Sequence, residues 1–248
     1  MAVMDEFKEE RANLKNKPLR KRIAYFWMYY KWYVIVGVIA VAAIAGTAYS
    51  IANQKADALF GVTLNGMPTQ NEEAFLNGFM EYAGIDTEEY TFNVNASLHM
   101  SSARDKSSMS AAEFIMVYTI AGDMDFMTAD PWAYTHYMYN DIFADLSTLM
   151  DEETLQALEG KILYSDAAVI KEIQALQSDG KSADDVSLPN PFHPEEMKEP
   201  VPVGIDISNC EAFMDAYYYQ NGIAYIGIIS SSDRKEAAVE FIEYLLGK

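Results

Sequence analysis

The stretch Ile223–Leu246 reads IAYIGIISSSDRKEAAVEFIEYLL. Its first seven residues are apolar without alternation, the pattern of a strand covered on both faces. A serine-rich turn follows. After it Ala237, Ala238, Phe241, Ile242, Leu245 and Leu246 recur at helical spacing, with Glu236, Glu240 and Glu243 elsewhere. A buried strand leading into a one-faced helix is the repeating unit of an α/β sheet.

The same alternation extends towards the N-terminus. Ala58–Leu64 (ALFGVTL) is almost wholly apolar, and Met124–Ala129 and Val201–Ile207 are further strand candidates. Tyr90–Ala96 alternates, with Tyr90, Phe92, Val94 and Ala96 on one side, which suits an edge strand. Thr69…Glu72, Ser110…Glu113, Ser208…Glu211 and Asp233…Glu236 have the capping-box form, and Asp130-Pro131 is an N-cap followed by proline at the first helical position. The expected fold is α/β, one mainly parallel sheet with helices on its faces. One region breaks the pattern. Residues 176–202 are polar and hold five of the eight prolines, as a functional loop, a lid, a linker or a plain surface excursion would.

Upstream, Trp32–Gln54 is a run of 23 uncharged residues between Lys31 and Lys55. As a helix it covers roughly 34 Å, enough for a hydrocarbon core of about 30 Å. Residues 1–31 carry eight basic and four acidic side chains, net +4. Basic residues beside a span stay on the cytoplasmic side, so the expectation is a single-pass protein of the cell membrane, N-terminus inside and the rest outside. Tyr25, Phe26, Trp27, Tyr29, Tyr30, Trp32 and Tyr33 suit the headgroup level, with Arg20, Lys21 and Arg22 facing anionic lipid. The stretch Pro18–Tyr33 is a candidate to lie on the membrane before entering it. A cleaved signal peptide competes, with small-residue sites at Ala43–Ala45 and Ala48–Ser50, but its basic and apolar regions are usually shorter than these. The expected domains are therefore a basic tail and aromatic pre-anchor (1–31), a transmembrane helix (32–54) and an extracytoplasmic α/β domain (55–248).

Charge divides along the same boundary. The 248-residue chain has 18 Lys+Arg against 37 Asp+Glu, net −19, whereas residues 56–248 alone hold nine basic against 33 acidic, net −24. Such acidity argues against nucleic acid as a partner, which calls for a basic face. A single cysteine, Cys210, excludes an intramolecular disulfide and multi-cysteine metal sites.

No phosphate-binding loop, dinucleotide fingerprint, nucleophile elbow or H-E-x-x-H occurs. His99, His136 and His193 lie in separate segments, and Asp123, Asp125 and Asp130 are too far apart along an extended strand to share one ion, so no metal and no cofactor is expected. Nothing assembles a nucleophile, a base and an orienting group, and an enzyme is not the expectation. The C-terminal ends of the candidate strands carry Asn65, Asp130, Trp132, Ser208, Asn209, Ser230 and Ser231. That edge of an open α/β sheet is where ligands bind, although helix capping explains several of these residues equally well. Tyr134, Tyr137 and Tyr139 follow Trp132, and Tyr217–Tyr219 follow Asn209, as a stacking surface or as helix–sheet packing. Three consecutive tyrosines cannot share one helix face, so some must point outwards.

GDMDFMTADPWAYTHYMYNDIFADLSTL, with its Phe143-Ala144-Asp145-Leu146 turn, and IAYIGIISSSDRKEAAVEFIEYLL resemble segments of bacterial extracellular solute-binding proteins of the type II periplasmic-binding-protein class. The whole chain is also similar to membrane-anchored proteins of Gram-positive bacteria. The resemblance implies a binding module for transport; with the anchor and the strand edge read above, the expectation is a non-enzymatic, membrane-anchored module with a small-molecule ligand held near Asn65, Asp130, Trp132, Tyr134, Ser208, Asn209 and Ser230. That family has two lobes enclosing the ligand, and here only the Pro-rich excursion stands where the second would be. A single lobe is therefore expected. The alternative is an accessory interaction protein of a transporter or cell-envelope complex, with no small ligand.

Overall fold

The computed structural model describes residues 18–52, 55–102, 105–183 and 185–247. The chain divides into two compact units, Met1–Gln54 and Lys55–Lys248. In the first, the described residues form the helix α1 (Leu19–Ala52), in which Tyr30–Ser50 is long and apolar enough to cross a membrane. Trp32, Tyr33, Val36 and Ile44 are all more than 60% exposed. The helix runs unbroken from Leu19, so the pre-anchor and the apolar run form one rod rather than a surface segment followed by a span. The side chains of Lys21, Arg22, Tyr25, Phe26 and Tyr29 lie outside the described residues.

The second unit contains β1 (Ala56–Leu64), β2 (Met67–Pro68), α2 (Glu72–Tyr82), β3 (Tyr90–Asn95), α3 (Lys106–Ala121), β4 (Phe126–Ala129) and α4 (Pro131–Met138). After a 3₁₀ turn, Leu146–Thr148, come α5 (Glu152–Ala157), β5 (Ile162–Asp166) and α6 (Ala167–Ser178). A second such turn, Pro194–Glu196, leads to β6 (Pro200–Asp206), α7 (Glu211–Ala216), β7 (Tyr217–Tyr218), β8 (Tyr225–Ile228) and α8 (Lys235–Leu245).

Six strands form one sheet in the order β3-β1-β4-β8-β6-β5, and β2 and β7 pair separately. Four of the six, β3, β1, β4 and β6, point the same way; β8 runs against both its neighbours and β5 against β6. The parallel half follows from its connections. Helices α2 and α3 have 11 and 16 residues, about 16 and 24 Å, enough to return along a strand before the next begins. Between β6 and β8 the one helix is α7, six residues or about 9 Å long, followed by the two-residue β7. The chain cannot cross back over that length, so β8 starts at the edge where β6 ends and runs antiparallel.

Alternation along each strand feeds two cores. On one face Leu59, Phe79, Phe92, Phe126, Ile226 and Phe241 are buried together, and on the other Val62, Leu64, Ile115, Met127, Tyr134 and Leu163. Edge strand β3 and central strand β8 sit as the sequence pattern indicates. Strand β5 does not show in that pattern, because Asp166 is both its last residue and the N-cap of α6, with no turn between them.

The Pro-rich excursion builds no second lobe among the described residues. It lies along β5: Pro191 accepts a bond from the Tyr164 N–H, and the Asp166 carboxylate accepts from Lys198 and Glu199. Burial pushes the Asp166 pKa up, but the N–H groups of Lys198, Glu199 and Ala168 outweigh this and hold it below the ordinary carboxylate value.

Of the expected helix starts, Asp130-Pro131 stands as written, with the Asp130 side chain accepting from the Ala133 N–H. The others shift. Helix α3 begins five residues before the Ser110 signal because Asp105 already caps it, and the caps of α2, α7 and α8 are Asn71, Cys210 and Arg234.

Candidate functional site

Strands β1 and β4 end side by side, Leu64 opposite Ala129, and the next residue on each is polar. Asn65 leaves β1 with φ 63°, a left-handed conformation that asparagine tolerates better than most residues. Its side chain joins three segments. Oδ1 accepts from the Met100 N–H at 2.7 Å, while Nδ2 donates to Met100 O and to Asp130 Oδ2, both at 2.8 Å. The other Asp130 oxygen accepts from the Ala133 N–H at 2.9 Å. Beneath them the hydroxyls of Thr63 and Thr128 lie 3.0 Å apart, and Tyr219 donates to Thr128. Burial pushes the Tyr219 hydroxyl up, so it stays a donor at neutral pH.

Above this floor is a cavity of about 410 Å³. One wall is the loop before α3, with His99, Met100, Ser101 and Asp105, followed by Ser107 and Ser108 of the helix itself. Asp105 caps α3 by accepting from the Ser108 N–H at 2.7 Å, and hydrogen bonds from Ser108 hold its pKa below the ordinary value. The facing wall is the β2/β7 ribbon, where Met67 pairs with Tyr218, and Gln220 and Asn221 beyond it. Met67 and Tyr218 are 50% and 56% exposed. Among the described lining residues there is no Lys or Arg. No three His, Cys, Asp or Glu side chains among the described residues come together as a metal ion requires.

Of the sequence candidates, Asn65 and Asp130 meet in this cavity and the others stand apart. Tyr134 is fully buried, its hydroxyl donating to Val203 O at 2.8 Å, because α4 packs that side chain into the core. Trp132 is 45% exposed but stacks on His136 outside the cavity lining. Ser208 bonds to Asp206 and to the Ala224 N–H, holding a turn at the end of β6 two strands away from β4. Asn209 is exposed beside it. Ser230 follows β8, and since β8 is antiparallel it lies at the opposite edge of the sheet. Tyr137 and Tyr139 are buried as packing, and burial pushes both hydroxyls up to about 12. Burial also pushes the Cys210 thiol up, so its place before α7 does not activate it.

Among the cavity residues that the sequence pattern misses are Met67, His99, Asp105, Tyr218, Gln220 and Asn221. Tyr218 had a signal. In Tyr217–Tyr219 one ring must face outwards, and strand β7 rather than a helix selects the middle one.

Asp125, at the opposite end of β4, is fully buried. It accepts from the Phe60 N–H at 2.7 Å, Ser232 Oγ at 2.6 Å and Arg234 Nε at 2.9 Å, tying β1, β4 and the turn after β8 together.

No family model matches the sequence, and no curated protein matches it either. Among solved structures, one described as the substrate-binding domain of a molybdenum ABC transporter from Clostridium difficile is similar at a TM-score of 0.28 and 10% identity, over 76% of this chain and 91% of that one. A likeness of that size carries no ligand across.

Proposed function

We propose that this chain is a non-enzymatic, extracytoplasmic binding module, held in the cell membrane by α1 with its N-terminus in the cytoplasm. The observation that carries the reading is the cavity where β1 and β4 end. It has a polar, cross-braced floor at Asn65 and Asp130, and its size falls in the range of about 300–1,000 Å³ usual for small-molecule sites. The anchor rests on the apolar exposure of Tyr30–Ser50 together with the basic residues before it. With one lobe, a ligand keeps much of its contact with water. Affinity is then modest unless a transporter or envelope partner supplies the missing wall.

The test is a thermal-shift screen of the full chain in lipid nanodiscs against sugars, amino acids, peptides, amines and inorganic ions. A stabilising ligand is expected, and Asp130→Asn should remove its effect. A blank screen overturns the reading. Protease accessibility of residues 55–248 in intact cells checks the orientation.

A second reading has its own observation. The outer face of α3 exposes Met109, Met116, Val117 and Ile120 by 66%, 56%, 52% and 78%. A helix apolar on both faces is ordinarily covered, as in an accessory subunit of a transporter or envelope complex. Photocrosslinking from position 116 in intact membranes should then capture a second protein, and recovery of monomer alone counts against it.

A further inference from the structure

Resting on the binding reading above, we infer that the ligand of the β1/β4 cavity is an organic cation, an ammonium or guanidinium carrying a short apolar body.

Two helix N-termini point at this cavity, and a free helix N-terminus favours an anion. Neither is free. Asp105 caps α3 through Ser108 and Asp130 caps α4 through Ala133, so each donor end already holds a carboxylate of the protein itself. An entering anion would meet two negative charges and, among the described lining residues, no Lys or Arg to offset them. A cation meets the reverse. An ionised carboxylate offers about four lone-pair directions, and the bonds from Ala133 and Asn65 occupy two at Asp130. Oxygen capacity therefore remains at Asp130, which lines the cavity. The outer domain's net −24 adds an attractive field for positive charge.

The opposite wall decides between a bare ion and an organic one. Met67 and Tyr218 pair directly across the β2/β7 ribbon and leave about half their surface to solvent, an exposure that packing of the domain does not require. An aromatic face and a thioether beside carboxylates suit a cation with carbon attached, through cation–π attraction and apolar contact. An inorganic divalent ion would leave that wall unused, and among the described residues the side chains needed to ligate one do not converge. A neutral sugar could stack on Tyr218, but it would bury the carboxylates without balancing their charge, which costs free energy.

Matched probes separate these outcomes. Isothermal titration of the full chain in nanodiscs uses choline against 3,3-dimethylbutan-1-ol, its uncharged carbon analogue, and n-butylammonium against 1-butanol. The expected result is that each cation binds at least about tenfold more tightly than its neutral partner and weakens as salt rises. Asp105→Asn, Asp130→Asn and Tyr218→Ala should each reduce cation affinity, with circular dichroism unchanged. If the alcohols bind as well as the cations, or if glucose or sulfate binds in their place and is lost in Asp130→Asn, the cation inference is overturned while the binding module stands. If no cation probe binds, this inference falls; the binding module falls with it only if the wider thermal-shift screen is also blank.

Discussion

Strand β4 is four residues long, and an aspartate stands at each end of it. Asp125, where β4 begins midway along β1, is fully buried and its carboxylate is bound by Phe60, Ser232 and Arg234. Asp130, at the other edge, is half-buried, caps α4 by accepting from the Ala133 N–H, is braced by Asn65, and lines a cavity. Residue type does not distinguish the two. What differs is how many of the surrounding donors belong to the protein. The first edge is closed around its charge and holds strands together; at the second the protein's own donors to the carboxylate are only Ala133 and Asn65.

Mutation should break this contrast in a definite order. Asp125→Ala leaves Arg234, Ser232 and the Phe60 N–H without their acceptor, and the expected loss is about 3–5 kcal/mol, the usual cost of halving a buried pair. Chemical denaturation of the full chain measures it. Next comes Asp166, which joins β5 to the Pro-rich excursion through three backbone N–H groups. Asp166→Ala should cost about 1–3 kcal/mol. Its pH dependence has a definite sign: because the folded-state pKa is depressed, its stabilisation is complete above the ordinary carboxylate value and is lost as pH falls through the folded value. Wild type should therefore lose more stability than Asp166→Asn on acidification from pH 5 to pH 2, as followed by thermal melts. The smallest effect on stability belongs to Asp130→Asn: asparagine caps a helix about as well as aspartate and only the bond from Asn65 Nδ2 is lost, so a change of about 1 kcal/mol is expected.

The five strands legible in the sequence were those with long apolar or alternating runs: β1, β3, β4, β6 and β8. Direction was harder. Nothing in IAYIGII says which way β8 runs; that depends on α7 being too short to cross the sheet, and the Ser208…Glu211 signal falls two residues before the actual cap, Cys210, and does not mark where the helix ends. The same reversal removed Ser230 from the ligand edge. Asn65 and Asp130 were readable because each directly follows a strand. Asp105, Met67 and Tyr218 were not, because they reach the cavity from a loop and a two-residue ribbon whose pairing joins positions 150 residues apart. Tyr134 shows the converse: an aromatic beside a candidate site turns inwards when its helix lies on the sheet.

The contrast between the two edges is tested most directly by measuring stability and n-butylammonium affinity together, for Asp125→Asn and Asp130→Asn, in the full chain in nanodiscs. The account predicts opposite losses: Asp125→Asn melts much earlier yet binds as wild type does below its melting point, whereas Asp130→Asn melts close to wild type and binds at least about tenfold more weakly. Equal destabilisation by the two substitutions, with affinity unchanged in Asp130→Asn, would contradict it.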